Sequence, residues 1–284
     1  ISIFKKILPV LAVFNKSLAK FYKGRQNLFE HLEQNTSHLS SAIWIHAASL
    51  GEYEQAVPII KVMKDRYPDY KIAVSFFSPS GYEVKKMDSQ LDIVTYLPLD
   101  TKKNAKDFLD LLRPKIAFII KYEVWPNFMD ALEYKKIKTY LISGLFRPQQ
   151  LYFKPMGEFM AEALKKFDHI FVQNDDSLEL LRTHGFKNSS VSGDTRYDRV
   201  ISQLKMNNQL NFMDDFTTSG ELTIVCGSTW PEDFEVIQET LNSFKKNIKI
   251  VIAPHQINAK QIQKLKKDIT KNCICYSEIE NKNL

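Results

Sequence analysis

Cysteine is scarce in this chain, and its spacing excludes the usual cysteine-based architectures. Among 284 residues there are only 3 cysteines. Cys226 lies in an apolar run, and Cys273 and Cys275 are separated by one residue, which matches neither a zinc-binding pair nor a redox CxxC motif. The sequence therefore predicts reduced thiols, which are typical of a cytosolic setting.

Long apolar runs are also missing, and glycine and proline are sparse. No stretch approaches the roughly 20 continuous apolar residues of a membrane-spanning helix. With 44% hydrophobic residues, 9 Gly and 11 Pro, the composition is that of a packed protein with room for two domains. Residues 1–22, however, place apolar side chains at helical spacing between lysines. Such a basic amphipathic helix can lie in a membrane interface, or it can pack on the domain body with Pro9 kinking it or marking its start.

Several motifs that define common classes of protein are absent. There is no P-loop and no complete GxGxxG, which argues against an ATPase or a dehydrogenase. There is no HExxH, no DxD and no Cys/His cluster, so we expect no protein-bound metal and no cofactor. The net charge of +6 suits an acidic partner, which nucleic acid, an anionic membrane or a phosphorylated substrate would satisfy. Because the basic residues are scattered without aromatic platforms, we do not expect a nucleic-acid partner.

What the sequence does contain is an alternation of apolar runs and helix-period segments. The predicted strands are 43–45, 71–77, 92–97, 116–120, 138–142 and 170–172. The fully apolar run 116–120 suits a strand whose sheet is covered on both faces. The series therefore predicts an α/β fold built on a doubly wound parallel sheet.

The same pattern predicts the domain organisation. Residues 1–22 form the basic helix, residues 23–203 the first domain and residues 204–220 a polar linker. A second α/β series begins in residues 221–284, with predicted strands at 222–226 and 249–253. Because two strands cannot close a doubly wound domain, we expect this second domain to be incomplete in the chain.

The stretch 43–52, IWIHAASLGE, predicts a strand, a tight turn and a helix that starts near Glu52. We expect Gly51 to adopt backbone angles closed to other residues and to let a ligand approach the main chain. Glu52 would lie at the carboxyl end of a strand, where open α/β sheets bind ligands, and could serve there as a general base. The alternative is that Glu52 only complements the helix dipole.

Further candidate residues follow other predicted strands. Glu123 comes directly after the apolar strand 116–120, so its carboxylate would bind a substrate hydroxyl or position a base, unless it is an ordinary surface residue. The turn Gly227-Ser228-Thr229 would present backbone amides and hydroxyls to an anion such as a phosphate, although a plain N-cap is the more common role for such a hydroxyl. Two histidines at predicted strand ends are also candidates, His46 and His255.

An ordered set of motifs resembles one protein family. The motifs are HAASLGE at 46–52, SPSGYE at 78–83, YLPLD at 96–100, YEVWPN at 122–127, VQNDDS at 172–177, GDTRYD at 193–198 and GSTWPED at 227–233. Together they resemble the 3-deoxy-D-manno-octulosonic acid (Kdo) transferases, which move Kdo from CMP-Kdo to the lipid A precursor of lipopolysaccharide. The similarity runs from about residue 20 to about residue 258.

The resemblance implies a GT-B glycosyltransferase with two Rossmann-like domains, the N-terminal one for the lipid acceptor and the C-terminal one for the CMP-sugar, and with the reaction in the cleft between them. The family's catalytic base falls on Glu52, and a second glutamate with a supporting role in the acceptor site falls on Glu123. It implies acceptor contacts at Ser49, Gly51, Ser78, Ser80 and Glu123, and donor contacts at Gly227, Ser228, Thr229 and His255.

Two departures from the family pattern concern the donor. Many members carry an arginine after Ala-Pro, a natural phosphate contact, where this chain has His255. A neutral imidazole would hold an anion more weakly, whereas a protonated one could replace the arginine. The family's Gly-rich and HNxxEP-like donor motifs are absent from the chain, so the contacts to the nucleotide base are not assigned.

The implied partners are CMP-Kdo and the lipid A precursor lipid IVA. The implied location is the cytoplasmic face of the bacterial inner membrane, where a basic N-terminal helix suits an anionic lipid. The resemblance leaves open the number of Kdo units transferred, the acyl pattern of the acceptor and the oligomeric state. Two alternatives also stay open: another GT-B enzyme, such as an epimerase-like protein or a UDP-sugar transferase, and a non-catalytic, membrane-associated binding fragment.

Overall fold

A parallel sheet of 7 strands forms the centre of the larger of two structural units. The computed structural model describes residues 2–36, 41–207, 209–218, 221–244 and 247–281. The chain divides into a first unit, Ile1–Lys205, and a second unit, Met206–Leu284. The strands of the first unit are β1 (Ala42–Ala47), β2 (Lys71–Phe76), β3 (Ile93–Tyr96), β4 (Pro114–Ile120), β5 (Lys138–Gly144), β6 (His169–Val172) and β7 (Ser189–Val191).

Helices precede the first strand and connect the others. They are α1 (Ser2–Phe14), α2 (Lys16–Lys23), α3 (Leu28–Thr36), α4 (Leu50–Arg66), α5 (Pro79–Lys85), α6 (Lys102–Leu112), α7 (Pro126–Tyr134), α8 (Glu158–Lys165), α9 (Asp175–Thr183) and α10 (Thr195–Leu204), with 3₁₀ turns at Leu151–Phe153 and Pro155–Gly157.

The strand order is β3-β2-β1-β4-β5-β6-β7, and each neighbouring pair is parallel. The chain winds from β1 outward to β3, returns to pair β4 with β1, and then winds outward in the opposite direction. The predicted α/β doubly wound sheet is therefore confirmed. Its order reverses between β1 and β4, and such a topological switch point leaves a crevice outside the carboxyl ends of the two strands.

Both faces of this sheet are covered, as the apolar strands predict. Because successive side chains of a strand point to opposite faces, Trp44 enters one core layer and its neighbours Ile43 and Ile45 enter the other. Trp44 packs between Phe108 of α6 and Phe128 of α7, with ring centroids 5.3 and 5.8 Å away. The sheet thus lies between two apolar layers, and it fixes the positions of the loops at its carboxyl edge.

The N-terminal segment differs from the single predicted helix over residues 1–22. It forms α1 and α2, which are separated at Asn15. Asn15 has an extended backbone, and its side-chain oxygen accepts hydrogen bonds from the N–H groups of Ser17 and Leu18 at 2.9 and 3.1 Å. Asparagine is a strong N-cap, so it starts a new helix here, whereas Pro9 lies inside α1.

The second unit contains a pair of parallel strands, β8 (Leu222–Thr229) and β9 (Ile248–Pro254). Its helices are α11 (Asn211–Thr217), α12 (Pro231–Ser243) and α13 (Ala259–Asp268), followed by a 3₁₀ turn at Tyr276–Asn281. Helix α11 lies inside the stretch 204–220 that was predicted to be a linker. Among the described residues, none of the helices in either unit combines the length and the apolar character that a membrane crossing requires.

Candidate active site

Two glutamates lie on either side of the topological switch point. Glu52 is in the first turn of α4, directly after β1, and Glu123 is in the loop that joins β4 to α7. Because β1 and β4 are paired neighbours, the sheet brings together two side chains that are far apart in sequence. The first unit therefore presents a pair of carboxylates at the place where doubly wound proteins bind ligands.

Glu52 is a buried carboxylate with a backbone partner. Its side chain folds back so that Oε2 accepts a hydrogen bond from the Ala48 N–H at 2.5 Å, and the residue is only 7% exposed. Burial raises the pKa of Glu52, while the N–H groups of Ala48 and Ser49 and the charge of Lys121 oppose that rise. A carboxylate whose pKa is moved toward neutrality is a better proton acceptor, so Glu52 has the environment of a general base.

Glu123 is perturbed further than Glu52. Burial, reinforced by the negative charge of Glu52, raises the pKa of Glu123 to about 7, against an opposing hydrogen bond from the Trp125 side chain. Two carboxylates that interact in this way share protons as a pair. Near neutral pH the site can therefore hold one ionised and one protonated carboxyl group.

His46, near the end of β1, is held neutral at the same edge of the sheet. It is fully buried, and its Nδ1 lies 3.1 Å from the Ser75 carbonyl oxygen and 2.9 Å from the Ser75 Oγ. Its Nε2 accepts a hydrogen bond from the Trp125 Nε1 at 3.3 Å. Burial, as the dominant cause, lowers the pKa of His46 to about 3. His46 therefore orients Trp125 and is not a proton carrier at neutral pH.

The structure changes the predicted role of Gly51. Gly51 lies in the first turn of α4, which begins at Leu50 and not at Glu52, and its φ is not positive. A Cβ added there would meet no atom within 4 Å. The argument from unusual backbone angles was therefore wrong, and the approach of a ligand to the main chain at Gly51 stays a prediction.

The predicted serines lie in turns at the same edge of the sheet. Ser49 is the N-cap of α4 but makes no side-chain capping bond. Ser78, after β2, caps the short helix α5 by accepting from the Ser80 N–H at 3.2 Å, and the two hydroxyl oxygens lie 3.0 Å apart. The capping role alone accounts for Ser78, and a contact of these serines with an acceptor stays a prediction.

Sequence reasoning missed a buried carboxylate that shapes this site. Asp100 is only 4% exposed and accepts hydrogen bonds from the backbone N–H groups of Asn127 and Phe128 and from the Asn127 side chain. It thereby satisfies the N-terminus of α7, which directly follows Glu123 and Trp125. The signal was present, because the YLPLD and YEVWPN motifs contain the partners, but nothing in the sequence paired them.

In the second unit, residues predicted to bind the donor lie in a strand and not in a turn at the start of a helix. Gly227, Ser228 and Thr229 lie at the end of β8, and α12 begins at Pro231 with Trp230 as its N-cap, so neither hydroxyl caps the helix. Ser228 has a positive φ of 56°, where the pairing of β8 with β9 shifts register. The expectation of a helix-start turn was wrong because the strand continues to Thr229.

This rearrangement joins Ser228 to His255. The Ser228 Oγ lies 2.8 Å from the His255 Nδ1, and the His255 N–H donates to the Thr229 carbonyl oxygen at 2.9 Å. The imidazole also stacks on the Trp230 indole, with centroids 4.3 Å apart. The strand ends thus present a hydroxyl, an imidazole and an indole together, a set that can contact a phosphate and a flat ring.

A cavity of about 260 Å³ lies beside these residues. Its lining residues include the predicted donor residue Thr229 and its neighbour Trp230. The charged residues of the lining are Glu232, Glu235, Asp268 and Lys264. Acidic side chains thus outnumber the one lysine in the lining, and Ser228 and His255 are not part of it. In the part of the chain that the structure describes, no group of His, Cys, Asp and Glu side chains is placed to hold a metal ion.

The doubly wound sheet and the solved structures that resemble it place the fold of this chain in the GT-B class. Similar solved structures include a putative UDP-N-acetylglucosamine 2-epimerase from Listeria monocytogenes, with a TM-score of 0.55 at 13% identity over 80% of this chain and 65% of that chain. Another is the UDP-GlcNAc 2-epimerase from Neisseria meningitidis bound to UDP-GlcNAc, with a TM-score of 0.53 at 13% identity over 81% of this chain and 75% of that chain. At this identity the likeness shows the fold alone.

Sequence comparison identifies the family. The family model described as 3-deoxy-D-manno-octulosonic-acid transferase (kdotransferase) matches residues 21–199, and the chain belongs to that family. It is 28% identical over 242 residues to a 3-deoxy-D-manno-octulosonic acid transferase from Aquifex aeolicus, covering 83% of this chain and 61% of that protein. It is 23% identical over 271 residues to a bifunctional glycosyltransferase/methyltransferase from Fusobacterium nucleatum, covering 92% of this chain and 42% of that protein. The chain thus spans about half of the length of these relatives.

Proposed function

We propose that this chain belongs to an inverting glycosyltransferase that moves Kdo from CMP-Kdo to the lipid A precursor lipid IVA, with Glu52 as the general base. The observation that carries the proposal is the Glu52 carboxylate itself. It is buried, its pKa is raised, and it lies at the switch point of the sheet beside Glu123. Membership of the Kdo transferase family supports the choice of Kdo as the transferred sugar.

The proposed step is a single displacement. An acceptor hydroxyl attacks the anomeric carbon of Kdo, and the bond from that carbon to the phosphate oxygen of CMP breaks as the new C–O bond forms. CMP leaves with the bonding electrons, and Glu52 takes the hydroxyl proton. Glu123, with its pKa near 7, holds a proton beside Glu52 and can donate a hydrogen bond to the sugar. The open space in front of Gly51 gives the acceptor access to this turn.

The donor contacts of the proposal lie in the second unit. Ser228 and His255 are hydrogen-bonded to each other at the ends of β8 and β9, and either can donate to a phosphate oxygen. The Trp230 indole that stacks on His255 is 45% exposed and offers a flat apolar surface to a ring of the donor. This assignment keeps the predicted donor residues and adds Trp230 to them.

We also propose that the enzyme works at the cytoplasmic face of the inner membrane, docked through α1. The exposed apolar side chains of this helix include Val10, Val13 and Phe14, at 60%, 79% and 85% exposure. A run of exposed apolar residues beside lysines suits the interface of a bilayer that contains anionic lipid.

The test is a transfer assay with the full-length protein. CMP-Kdo is generated in place, a tetra-acylated lipid A precursor is the acceptor, and the lipid is analysed by mass spectrometry. We expect a mass gain of one or more Kdo units and a loss of about 10²- to 10⁴-fold in rate for Glu52→Gln. The matched control is Glu54→Gln on the same helix, whose carboxylate pairs with Arg199 at 2.8 Å, and it should keep the wild-type rate.

Each other result has a definite meaning. A folded Glu52→Gln variant with the wild-type rate would refute Glu52 as the base. No mass gain from a protein that binds CMP would move the function to another acceptor or sugar. Tighter binding of UDP or GDP than of CMP would replace the proposed donor.

A further inference from the structure

Glu123 lies at the centre of a three-residue turn in the loop between β4 and α7. The Val124 N–H donates to the Tyr122 carbonyl oxygen at 2.9 Å, which closes the turn around Glu123. The same carbonyl oxygen accepts a hydrogen bond from the Tyr152 hydroxyl at 2.7 Å, and the Val124 side chain is buried in the core. Because the turn is so short, the direction of the Glu123 side chain depends on how the two ends of the turn are held.

The residue after this turn, Trp125, joins it to the neighbouring strand. The Trp125 ring lies against the Phe77 ring, with centroids 4.8 Å apart and an angle of 32° between the planes. Its Nε1–H donates to the His46 Nε2 at 3.3 Å. His46 belongs to β1, which leads into the helix of Glu52. This hydrogen bond therefore connects the loop that carries one carboxylate to the strand that precedes the other.

The hydrogen bond from Trp125 requires one form of the His46 side chain. An indole nitrogen donates and does not accept, so the Nε2 that receives its N–H carries no hydrogen. The hydrogen of the neutral ring is thereby assigned to Nδ1, which lies 3.1 Å from the Ser75 carbonyl oxygen and 2.9 Å from the Ser75 Oγ. The Ser75 Oγ also accepts a hydrogen bond from the Trp44 Nε1–H at 2.8 Å. The buried Ser75 thus selects the tautomer whose Nε2 is free to accept.

The burial of His46 needs a reason, because burying polar atoms has a cost in free energy. An apolar side chain would fill the same core position without that cost. His46 is fully buried, and both of its ring nitrogens have partners. Burial keeps the pKa of His46 low, at about 3, so Nε2 retains its lone pair at neutral pH. What the imidazole provides in return is an acceptor for the Trp125 N–H.

We propose that His46 is a positioning residue, which holds the Glu123 turn against β1 by accepting the Trp125 N–H. In this role it touches no substrate and transfers no proton. It fixes the end of the turn, and so sets the direction in which the Glu123 carboxyl group faces an acceptor. The importance of this role for catalysis rests on the proposed transfer reaction, whereas the hydrogen bond itself is testable without turnover.

Two amide substitutions separate the roles of the two ring nitrogens. In His46→Gln the amide lies as far along the side chain as Nε2 does, so its oxygen can accept the Trp125 N–H. In His46→Asn the shorter side chain places the amide near the position of Nδ1, where it can donate to Ser75 but leaves the indole without an acceptor. Both variants put an amide into the same buried place. The positioning role predicts that the glutamine, and not the asparagine, replaces the histidine.

The first measurement is hydrogen exchange of the indole N–H groups in the full-length protein labelled with ¹⁵N-tryptophan. The Trp125 signal is assigned by its loss in Trp125→Phe. We expect the Trp125 N–H to exchange about tenfold or more faster in His46→Asn, because it has lost its acceptor, and within about threefold of the wild-type rate in His46→Gln. The Trp230 N–H, which lies in the second unit, should exchange at the wild-type rate in both variants.

The second measurement is the rate of the transfer reaction. We expect kcat to fall by about tenfold or more in His46→Asn and to stay within about threefold of wild type in His46→Gln, since a misplaced group slows the chemical step. The KM for CMP-Kdo should be unchanged in both variants. The matched control is His169→Asn, because His169 also lies in the sheet and its Nε2 is 2.8 Å from the Ser190 Oγ, but it begins β6 at the opposite edge. This variant should keep the wild-type exchange and kcat.

Each contrary result overturns a stated part of the proposal. Wild-type exchange of the Trp125 N–H in His46→Asn would remove the hydrogen bond on which it rests, and faster exchange with an unchanged kcat would remove the positioning role. If neither amide variant folds, Trp125→Phe keeps a ring on Phe77 but lacks the N–H, and a wild-type kcat in this variant would also overturn the proposal. A wild-type protein that shows the expected exchange but transfers no sugar would refute the proposed function and not this contact.

Discussion

At the scale of single residues, the environment of each side chain at the switch point assigns it a different role. Glu52 is buried but keeps a backbone donor, which suits the base of the proposed reaction. The negative charge of Glu52 acts on Glu123, which therefore holds a proton more tightly. The motifs predicted Glu52 and Glu123 as site residues, but their mutual influence was not predictable, because it depends on the pairing of β1 with β4.

The raised pKa of Glu123 predicts a pH-dependent change in stability. The folded pKa of about 7 lies above the ordinary value of 4.5, so between these values the folded state binds the proton more tightly than the unfolded chain. The free energy of unfolding of the wild type should therefore fall as the pH rises through this range. Glu123→Gln should remove about 1–3 kcal/mol of that fall. Urea unfolding at pH values near 4.5, 6 and 7.5 measures the difference.

The control for this experiment is Glu83→Gln, because the Glu83 carboxylate is 38% exposed and pairs with Lys86 on the surface. Its unfolding free energy should follow the wild-type pH dependence. A difference between wild type and Glu123→Gln that stays constant with pH would contradict the raised pKa.

At the scale of helices and strands, local sequence predicted the apolar elements and failed at polar ones. The strands of the first sheet from β1 to β6 followed apolar runs and were found close to the predicted bounds. The edge strand β7 reads Ser-Ser-Val, which has no apolar run to detect. Helix α1 ends early because the Asn15 side chain starts α2, and β8 runs on to Thr229 because it pairs with β9. In both places a specific hydrogen-bonded partner overrides the local pattern.

Asp100 should stabilise α7. Asp100→Ala removes the acceptors of the partly buried Asn127 N–H and the buried Phe128 N–H, so we expect a loss of about 1–3 kcal/mol in unfolding free energy. Asp107→Ala, on the exposed side of α6, is the control and should cost under about 0.5 kcal/mol. Equal losses for the two variants in chemical denaturation would show that the cap contributes nothing.

Helix α1 should govern membrane binding. Phe14→Asp places a charge at a side chain that is 85% exposed, so the fold should survive while partition into vesicles containing anionic lipid falls by about tenfold or more. Val84→Asp on α5, 60% exposed, is the matched control and should bind like the wild type. Vesicle sedimentation compares them, and undiminished binding of Phe14→Asp would count against docking through this helix.

At the scale of the whole chain, two units contribute different parts of the proposed chemistry. The first unit holds the carboxylates, and the second holds the Ser228 and His255 pair. The two α/β series were readable from the sequence, because each begins with an apolar run that ends in a polar turn. The arrangement of residues 227–229 was not, since it depends on how far β8 and β9 pair.

Binding of CMP tests the contribution of the second unit. His255→Ala removes a donor to the phosphate and the partner of Ser228, so we expect the full-length protein to bind CMP about five- to tenfold more weakly. His31→Ala, on an exposed face of α3 in the first unit, should leave the affinity unchanged. Isothermal titration calorimetry distinguishes the two, and equal affinities would remove His255 from the donor site.

The empty space at Gly51 has a practical consequence. A side chain placed there would meet no atom within 4 Å, and the position is one residue from Glu52. A cysteine at Gly51 would therefore fit the helix and present a thiol at the mouth of the site. Such a thiol would allow an acceptor analogue with an electrophilic arm to be attached covalently, so that a short-lived complex could be captured and crystallised.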